Sequence, residues 1–150
     1  MKSVFKRTIV DELQSRIDKL NATSVPNWGK MNIAQMLAHC NVTYEMAYEN
    51  KHPRPSGFKR WILKMFVKNI VVSEKQYAKN GRTAPEFLIV TEKDFQNEKS
   101  RLTAFIYKTQ QLGENHFESK ESHSFGKLTS SEWNNMFYKH LDHHLTQFGV

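Results

Sequence analysis

The last part of the chain, TSSEWNNMFYKHLDHHLTQFGV (Thr129–Val150), has its apolar residues spaced as in an amphipathic helix. At 100° per residue, one face of that helix consists of Trp133, Phe137, Leu141 and Phe148, with Met136 at its edge. Thr129 and Glu132 have the spacing of a capping box, which predicts that the helix begins just after Thr129. The stretch therefore predicts a long helix that is buried along one face.

Two histidines fall within the apolar face of this helix. His140 and His144 are four residues apart, so their rings stand one turn apart, whereas His143 lies at the edge of the face. A buried imidazole nitrogen without a partner costs about 1–3 kcal/mol, and a shared divalent cation would satisfy both rings. This spacing is also the one with which two histidines of a helix bind one ion. We therefore predict a metal site, with packing or capping as the alternative for the pair.

Four other segments have helical periodicity, and the connections between them carry the prolines and most of the glycines. They are residues 5–20, 31–47, 58–72 and 91–112. Thr91 is predicted to cap the last of these segments and Gly113 to end it. Phe87–Val90 is predicted to be a short strand or a buried extended piece, and residues 114–127 to be irregular. Four long helices and a shorter one in a long middle connection predict a single all-α bundle over residues 1–150, with an irregular all-α fold of different helix order as the alternative.

The segment FKRWILKMFVKNIVV (residues 58–72) is predicted to be a basic amphipathic helix. Trp61, Ile62, Met65, Phe66 and Ile70 lie on one side. Most amphipathic helices of soluble domains turn such a side towards their own core, so we expect this one to pack inwards. The alternative is a helix that lies on a membrane surface.

A third metal ligand has to come from another helix, and His39 is the natural candidate. It lies on the flank of the apolar face of the second segment, where it could reach a cavity. Its neighbour Cys40 points about 100° away and is predicted to be a small buried apolar residue. His123 precedes the last helix directly and could line the mouth of the site, whereas His52 is expected to be exposed. Three His ligands would leave a coordination position to water, as in catalytic sites.

Composition narrows the classes of protein that are possible. Apolar residues make up 39% and charged residues 25% of the chain, as in an ordinary soluble domain. Cys40 is the single cysteine, which suits a reducing compartment, so we expect a cytoplasmic protein. The net charge of +7 leaves nucleic acid and acidic lipid open as partners. Because the lysines are spread along the chain and no nucleic-acid-binding motif is recognised, we expect neither nucleic acid nor a membrane as partner.

Three stretches, WGKMNIAQMLAHC (28–40), SFGKLTSSEW (124–133) and YKHLDHHLTQFG (138–149), resemble the DinB-like superfamily of metal-dependent enzymes, in a branch of unknown function. The resemblance implies a four-helix bundle with a short extra helix and a long loop in the middle connection. It also implies a metal ion, zinc or nickel, between helices at His39, His140 and His144. Gln147 matches a glutamine that supports a ligand or lines the pocket, while His143 matches a histidine that does not bind the ion. Members often form homodimers, and some use a low-molecular-weight thiol.

We therefore expect a metalloenzyme in which the ion activates water or a small thiol for hydrolysis or group transfer on a small molecule. A bundle that binds a metal or ligand without catalysis is the second hypothesis. A basic protein that binds nucleic acid or a membrane surface is the third.

Overall fold

The computed structural model of the protein describes residues 1–49 and 51–150 and is mostly helical, which confirms the predicted all-α class. The helices are α1 (Arg7–Asp18), α2 (Ile33–Tyr48), α3 (Gly57–Ile62), α4 (Lys68–Val72), α5 (Phe95–Phe117) and α6 (Ser130–Gln147). A π-helical turn (Leu63–Val67) joins α3 to α4, and a 3-10 turn (Pro85–Phe87) lies in the connection to α5. A short antiparallel hairpin precedes α6 and consists of β1 (Lys120–Ser122) and β2 (Gly126–Leu128).

The hydrophobic core lies between the four longer helices. Helix α5 packs against α1, α2 and α6, and both α1 and α2 also contact α6. The centre of the core is aromatic: Tyr44 stacks on Phe137 at a ring-centroid distance of 4.9 Å and on Phe105 at 5.6 Å. Each large apolar side chain buried in this way contributes about 1.5–3 kcal/mol. The packing brings α2 and α6, the helices that carry the candidate ligands, into direct contact.

Capping boxes fix where the two ligand-bearing helices begin. The predicted box of α6 is present, since Thr129 Oγ1 accepts from the Glu132 amide at 3.2 Å and Glu132 Oε2 accepts from the Thr129 amide at 3.0 Å. Helix α2 has a second box, formed by Asn32 and Gln35, that the sequence reading did not identify. Satisfying the amides of the first turn stabilises each helix by about 1 kcal/mol.

Helix α5 differs from its predicted start, and helical structure resumes after its predicted end. It begins after Asp94, whose Oδ1 accepts from the Asn97 amide at 2.6 Å, and not after Thr91. Gly113, with φ 74° and ψ 171°, has a non-helical backbone and interrupts the helix where its end was predicted, and a short helical stretch then continues to Phe117. Phe117 is fully buried among core aromatic rings, so its burial explains why the chain resumes the helix after the bend.

The connections on either side of α5 also differ from the prediction. Phe87–Val90 is not a strand, because Pro85–Phe87 forms a 3-10 turn and Leu88 and Val90 are exposed. The stretch predicted to be irregular, residues 114–127, contains the end of α5 and the β1–β2 hairpin. Hairpin register depends on cross-strand partners, here Lys120–Leu128 and Ser122–Gly126, which periodicity over such short strands does not reveal.

The orientation predicted for the segment of α3 and α4 is wrong. Trp61, Met65, Phe66 and Ile70 face solvent, while Leu63, Val67 and Val71 pack against the core. The helix is apolar on both sides, so periodicity alone does not decide which side is buried. The contact of α4 with α6 places the side with Leu63, Val67 and Val71 against the core. Of the helices described in residues 1–49 and 51–150, none combines the length and apolar character needed to cross a bilayer.

Candidate metal centre

Three imidazoles from two helices meet at the interface of α2 and α6. His39, His140 and His144 each present a ring nitrogen, and these nitrogens all lie within 4.8 Å of one another. The closest pair is His39 Nε2 and His140 Nε2, at 2.9 Å. His39 and His144 are buried, and His140 is partly covered. The structure thus brings together the three residues that were predicted to bind a metal; metal binding itself stays a prediction.

The opposite ring nitrogen of each histidine is tied to an oxygen. His39 Nδ1 lies 2.9 Å from the carbonyl oxygen of Phe87, which can only accept, so His39 carries its proton on Nδ1. His144 Nδ1 lies 2.8 Å from Gln147 Oε1. The Gln147 amide is oriented by its own donation from Nε2 to the carbonyl oxygen of Trp28 at 2.7 Å, so His144 also carries its proton on Nδ1. The Nε2 atoms of neutral His39 and His144 are therefore unprotonated.

The protonation of His140 depends on Thr43. His140 Nδ1 lies 3.0 Å from Thr43 Oγ1, and a hydroxyl can donate or accept. If the hydroxyl accepts, His140 Nε2 is bare and faces the bare Nε2 of His39. If it donates, His140 Nε2 carries a proton and donates it to His39. The first state needs a cation between the rings, and the second is a metal-free hydrogen bond.

The three nitrogens fit a divalent ion with little adjustment. In a tetrahedral site with metal–nitrogen bonds of about 2.0–2.1 Å, neighbouring ligand nitrogens are about 3.3 Å apart. The 2.9 Å pair would open by a few tenths of an ångström, and His144 would approach from a separation of at most 4.8 Å. Side-chain oxygens or carbonyls already hold each Nδ1, as they do in established metal–histidine sites. The donor set is that of zinc or nickel, since imidazole suits both.

Burial keeps these imidazoles in the form that binds a metal. Desolvation lowers the pKa of His39, lowers the pKa of His144 to about 3 and holds the pKa of His140 well below its usual range. The neighbouring histidines lower the pKa of His140 further, because two adjacent imidazolium charges repel. All three rings are therefore neutral at neutral pH.

Two aromatic rings from the connection between α4 and α5 cover the centre. Phe87 and Tyr77 stand edge-on to His140, at ring-centroid distances of 5.8 and 6.4 Å. Tyr77 is itself held by Lys139, whose ammonium lies 4.6 Å from the ring centroid and donates to the carbonyl oxygens of Ile70 and Ser73. The sequence reading treated this connection as a plain loop and assigned no role to Lys139. The two rings thus cover part of one side of His140, which remains partly accessible.

The remaining predicted site residues occupy different places. Gln147 contacts His144. The ring of His143 lies 5.0 Å from that of His144 and 5.8 Å from that of Trp28. His143 lines a cavity of about 230 Å³ together with Trp28, Gln76, Tyr77, Lys79, Asp142 and Thr146. His123 lies in the β1–β2 turn, where its Nε2 is 3.2 Å from the carbonyl oxygen of His52.

Two side chains differ from their predicted exposure. His52 is partly buried, with Nε2 2.8 Å from Glu45 Oε2, and is not the exposed loop residue expected. At 100° per residue Asp142 falls opposite the apolar face of α6, which predicts that it points into solvent, but it is partly buried and pairs with Arg16 Nη1 at 2.7 Å. Arg16 lies 126 residues from Asp142, and His52 lies beyond the end of the helix that carries Glu45, so helical periodicity indicates neither pairing.

The contacts around Gln147 also include a residue that sequence reasoning did not single out as part of the site. Gly29 has φ +83°, and a Cβ at this position would lie 2.6 Å from Gln147 Nε2. The glycine therefore permits both the left-handed backbone and the close approach of the amide. The signal available in the sequence was the Trp-Gly pair after Pro26, which marks a tight turn without showing what the turn contacts.

Comparison with known proteins places the whole folded region in one family. No curated protein and no solved structure matches the chain. The family model described as a protein of unknown function (DUF1569) matches residues 4–149, a range that includes all three histidines and every helix. The chain therefore belongs to the DUF1569 family.

Proposed function

We propose that this protein is a DinB-like metalloprotein in which His39, His140 and His144 bind one divalent ion. The observation that carries the proposal is the convergence of the three ring nitrogens together with the oxygen held at each Nδ1. Two of the three tautomers are set by acceptors that lie outside the triad. The bare Nε2 atoms of His39 and His144 then share at most one donor, the Nε2 proton of His140, whereas a cation would satisfy all three nitrogens.

A four-helix bundle of α1, α2, α5 and α6 is the architecture that we propose for the fold. Its support is the mutual packing of these helices and the position of the histidines on α2 and α6, which contact each other. Metal sites of helical bundles are commonly built from side chains of facing helices. The short α3–α4 segment and the long connection to α5 then form an insertion beside the bundle.

We propose hydrolysis or thiol transfer on a small molecule as the chemistry of the site. A divalent ion with three neutral ligands keeps its full charge and lowers the pKa of a water or thiol that occupies its open position. The chain's own residues would hold the ligands in orientation through Thr43, Gln147 and the carbonyl oxygen of Phe87. Phe87 and Tyr77 would limit access of bulk water on one side.

A non-catalytic metal-binding protein is the second candidate. The observation that favours it is the depth of the site, since desolvation dominates the lowered pKa values of all three histidines and two aromatic rings cover His140. A site closed on all sides would stabilise the fold without offering a position to a substrate.

The experiment is metal analysis of protein that was purified without a histidine tag and then reconstituted with zinc or nickel. We expect about one equivalent in the wild type and in His143→Ala, and strong loss in His140→Ala and His144→Ala. His143→Ala is the matched control, because it removes an imidazole from the same helix that the proposal does not use. Less than about a tenth of an equivalent after reconstitution would refute the proposal. Turnover of a thiol or ester panel that is lost on chelation and restored by metal would separate enzyme from binding protein.

A further inference from the structure

The segment of α3 and α4 exposes a continuous apolar face, which we call the outer face. Its exposed side chains are Phe58 (74%), Trp61 (56%), Met65 (60%), Phe66 (66%) and Ile70 (61%). Phe58 and Trp61 stack on each other at a centroid distance of 6.3 Å. Together these side chains expose on the order of 600 Å² of apolar surface, at the upper end of what a typical monomer shows. Exposing so much apolar surface is costly unless something covers it.

The chain around the outer face is uniformly basic. Residues 51–73 contain Lys51, Arg54, Lys59, Arg60, Lys64 and Lys68, and no aspartate or glutamate. Four of these cations pair with glutamates from outside the segment: Lys51 with Glu49 at 2.6 Å, Lys59 with Glu86 at 2.7 Å, Lys68 with Glu132 at 2.7 Å, and Arg60 with Glu121. Lys64 is exposed, and half of the Lys59 side chain remains accessible.

The segment is anchored to the body along its other side. Leu63, Val67 and Val71 pack against the core, and the ion pairs with Glu86 and Glu132 hold the edges. A helix that is fixed along its inner side presents its outer face without rearrangement. The structure therefore displays aromatic and aliphatic side chains outward, with cations along their border.

We propose that the outer face binds the surface of a bilayer that contains anionic lipid, with α3 and α4 lying in the plane of the interface. Tryptophan and phenylalanine are favoured at that depth, and lysines along the border reach the phosphate and carboxylate groups. Each cation close to an anionic surface adds to the affinity, and the net charge of +7 acts in the same direction. This inference does not depend on the proposed metal site.

A second copy of the chain fits the outer face less well. In a two-fold dimer the same patch faces itself, so the basic borders would lie opposite each other. Residues 51–73 offer no acidic side chain, and the neighbouring glutamates Glu86, Glu121 and Glu132 are already paired within the same chain. Juxtaposed like charges oppose such an interface, whereas an anionic bilayer satisfies the same cations. Nucleic acid would use the charge but would leave the outer aromatic and aliphatic residues in water.

The test is co-sedimentation with vesicles of phosphatidylcholine alone and of phosphatidylcholine with about 30% phosphatidylserine. We expect binding to the anionic vesicles only, weakened by raised salt, and equal for metal-loaded and chelated protein. The double variant Trp61→Ser/Phe66→Ser should bind about 100-fold more weakly. Its control is Val25→Ser, which changes an apolar residue that is 77% exposed outside the outer face and should leave binding unaltered.

A charge pair provides a second arm. Lys64→Glu should weaken binding to the anionic vesicles about tenfold, while Lys19→Glu, with the same change in net charge at the exposed residue that follows α1, should have a smaller effect. Absence of binding, equal binding to both vesicle types, or identical effects of the two lysine variants would overturn the proposal. So would a stable dimer in sedimentation velocity that Trp61→Ser/Phe66→Ser dissociates.

Discussion

Gly29→Ala tests whether the turn after Pro26 controls the metal centre. Gly29 has φ +83°, and an added Cβ would lie 2.6 Å from Gln147 Nε2 where ordinary contacts begin at 3.4 Å. The amide must therefore move by about 0.8 Å. Such a shift breaks the 2.7 Å hydrogen bond from Gln147 Nε2 to the carbonyl oxygen of Trp28. It also releases the Oε1 atom that accepts from His144 Nδ1.

The substitution has two separable effects. An alanine in the left-handed region costs about 1–2 kcal/mol in backbone strain, and loss of the buried hydrogen bonds adds about 1–3 kcal/mol. Loss of the group that orients a ligating histidine lowers metal affinity by about 10–100-fold. Gly113→Ala is the matched control, because Gly113 has φ +74° and a Cβ there would meet nothing within 4 Å. It should show the strain alone.

The assay combines chemical unfolding of the chelated protein with competitive titration of zinc or of its coloured substitute cobalt. Both variants should lose stability, and only Gly29→Ala should lose metal affinity. Equal metal affinity of Gly29→Ala and Gly113→Ala would refute the role assigned to the turn. Equal weakening of both would show that strain anywhere in the fold is sufficient.

Three further outcomes follow from burial and charge. Burial lowers the pKa of His144 to about 3 from 6.5, so the unfolded chain binds more protons between these values. His144 alone should lower the free energy of unfolding of chelated protein by up to about 1.4 kcal/mol for each pH unit below 6.5, and His39 and His140 add to this slope, so His144→Asn should show a shallower slope. Lys139→Met should lower the free energy of unfolding by about 2 kcal/mol, because it leaves two carbonyl groups without a donor. Lys127→Met, on the exposed side of β2, should change this free energy by no more than about 0.5 kcal/mol in denaturant titrations. Phe117→Ala should cost about 3–5 kcal/mol and Leu112→Ala much less, because Phe117 is fully buried and Leu112 is partly exposed; similar losses would contradict the bend at Gly113.

Helix α6 and its histidines could be predicted because their signals are local. The Thr129–Glu132 box and the spacing of apolar residues determine the start and the buried face, and these place His140 and His144 inward together. His39 required one more step, since its approach depends on how α2 packs on α6. The sequence indicated only that His39 lies on the flank of the apolar face of its helix.

Local sequence patterns did not predict which aromatic rings cover the site or which side of the α3–α4 segment is exposed. Phe87 and Tyr77 reach His140 from a connection with little periodicity, and their positions depend on long-range contacts such as that of Lys139 with Ile70. The α3–α4 segment is apolar on both sides, so its burial is decided by the competition between two faces. Local pattern contains no information on that competition.

His144 distinguishes the metal-bound from the metal-free interpretation of the triad. In the metal-free network His140 has one Nε2 proton, and it is donated to His39. Gln147 fixes the proton of His144 on Nδ1, so the bare His144 Nε2 would have no donor among the described hydrogen bonds around the rings. A divalent ion satisfies all three bare nitrogens at once, with Thr43 accepting from His140 Nδ1.

The two interpretations predict different tautomers. Long-range ¹H–¹⁵N spectra of protein with one equivalent of zinc should show the proton on Nδ1 in all three rings. Chelation should move the proton of His140 to Nε2 and leave His39 and His144 unchanged, because carbonyl and amide oxygens hold their Nδ1 protons. A His140 Nε2 proton that persists at stoichiometric zinc would mean that the 2.9 Å contact with His39 is a structural hydrogen bond, and the triad would then owe its geometry to packing.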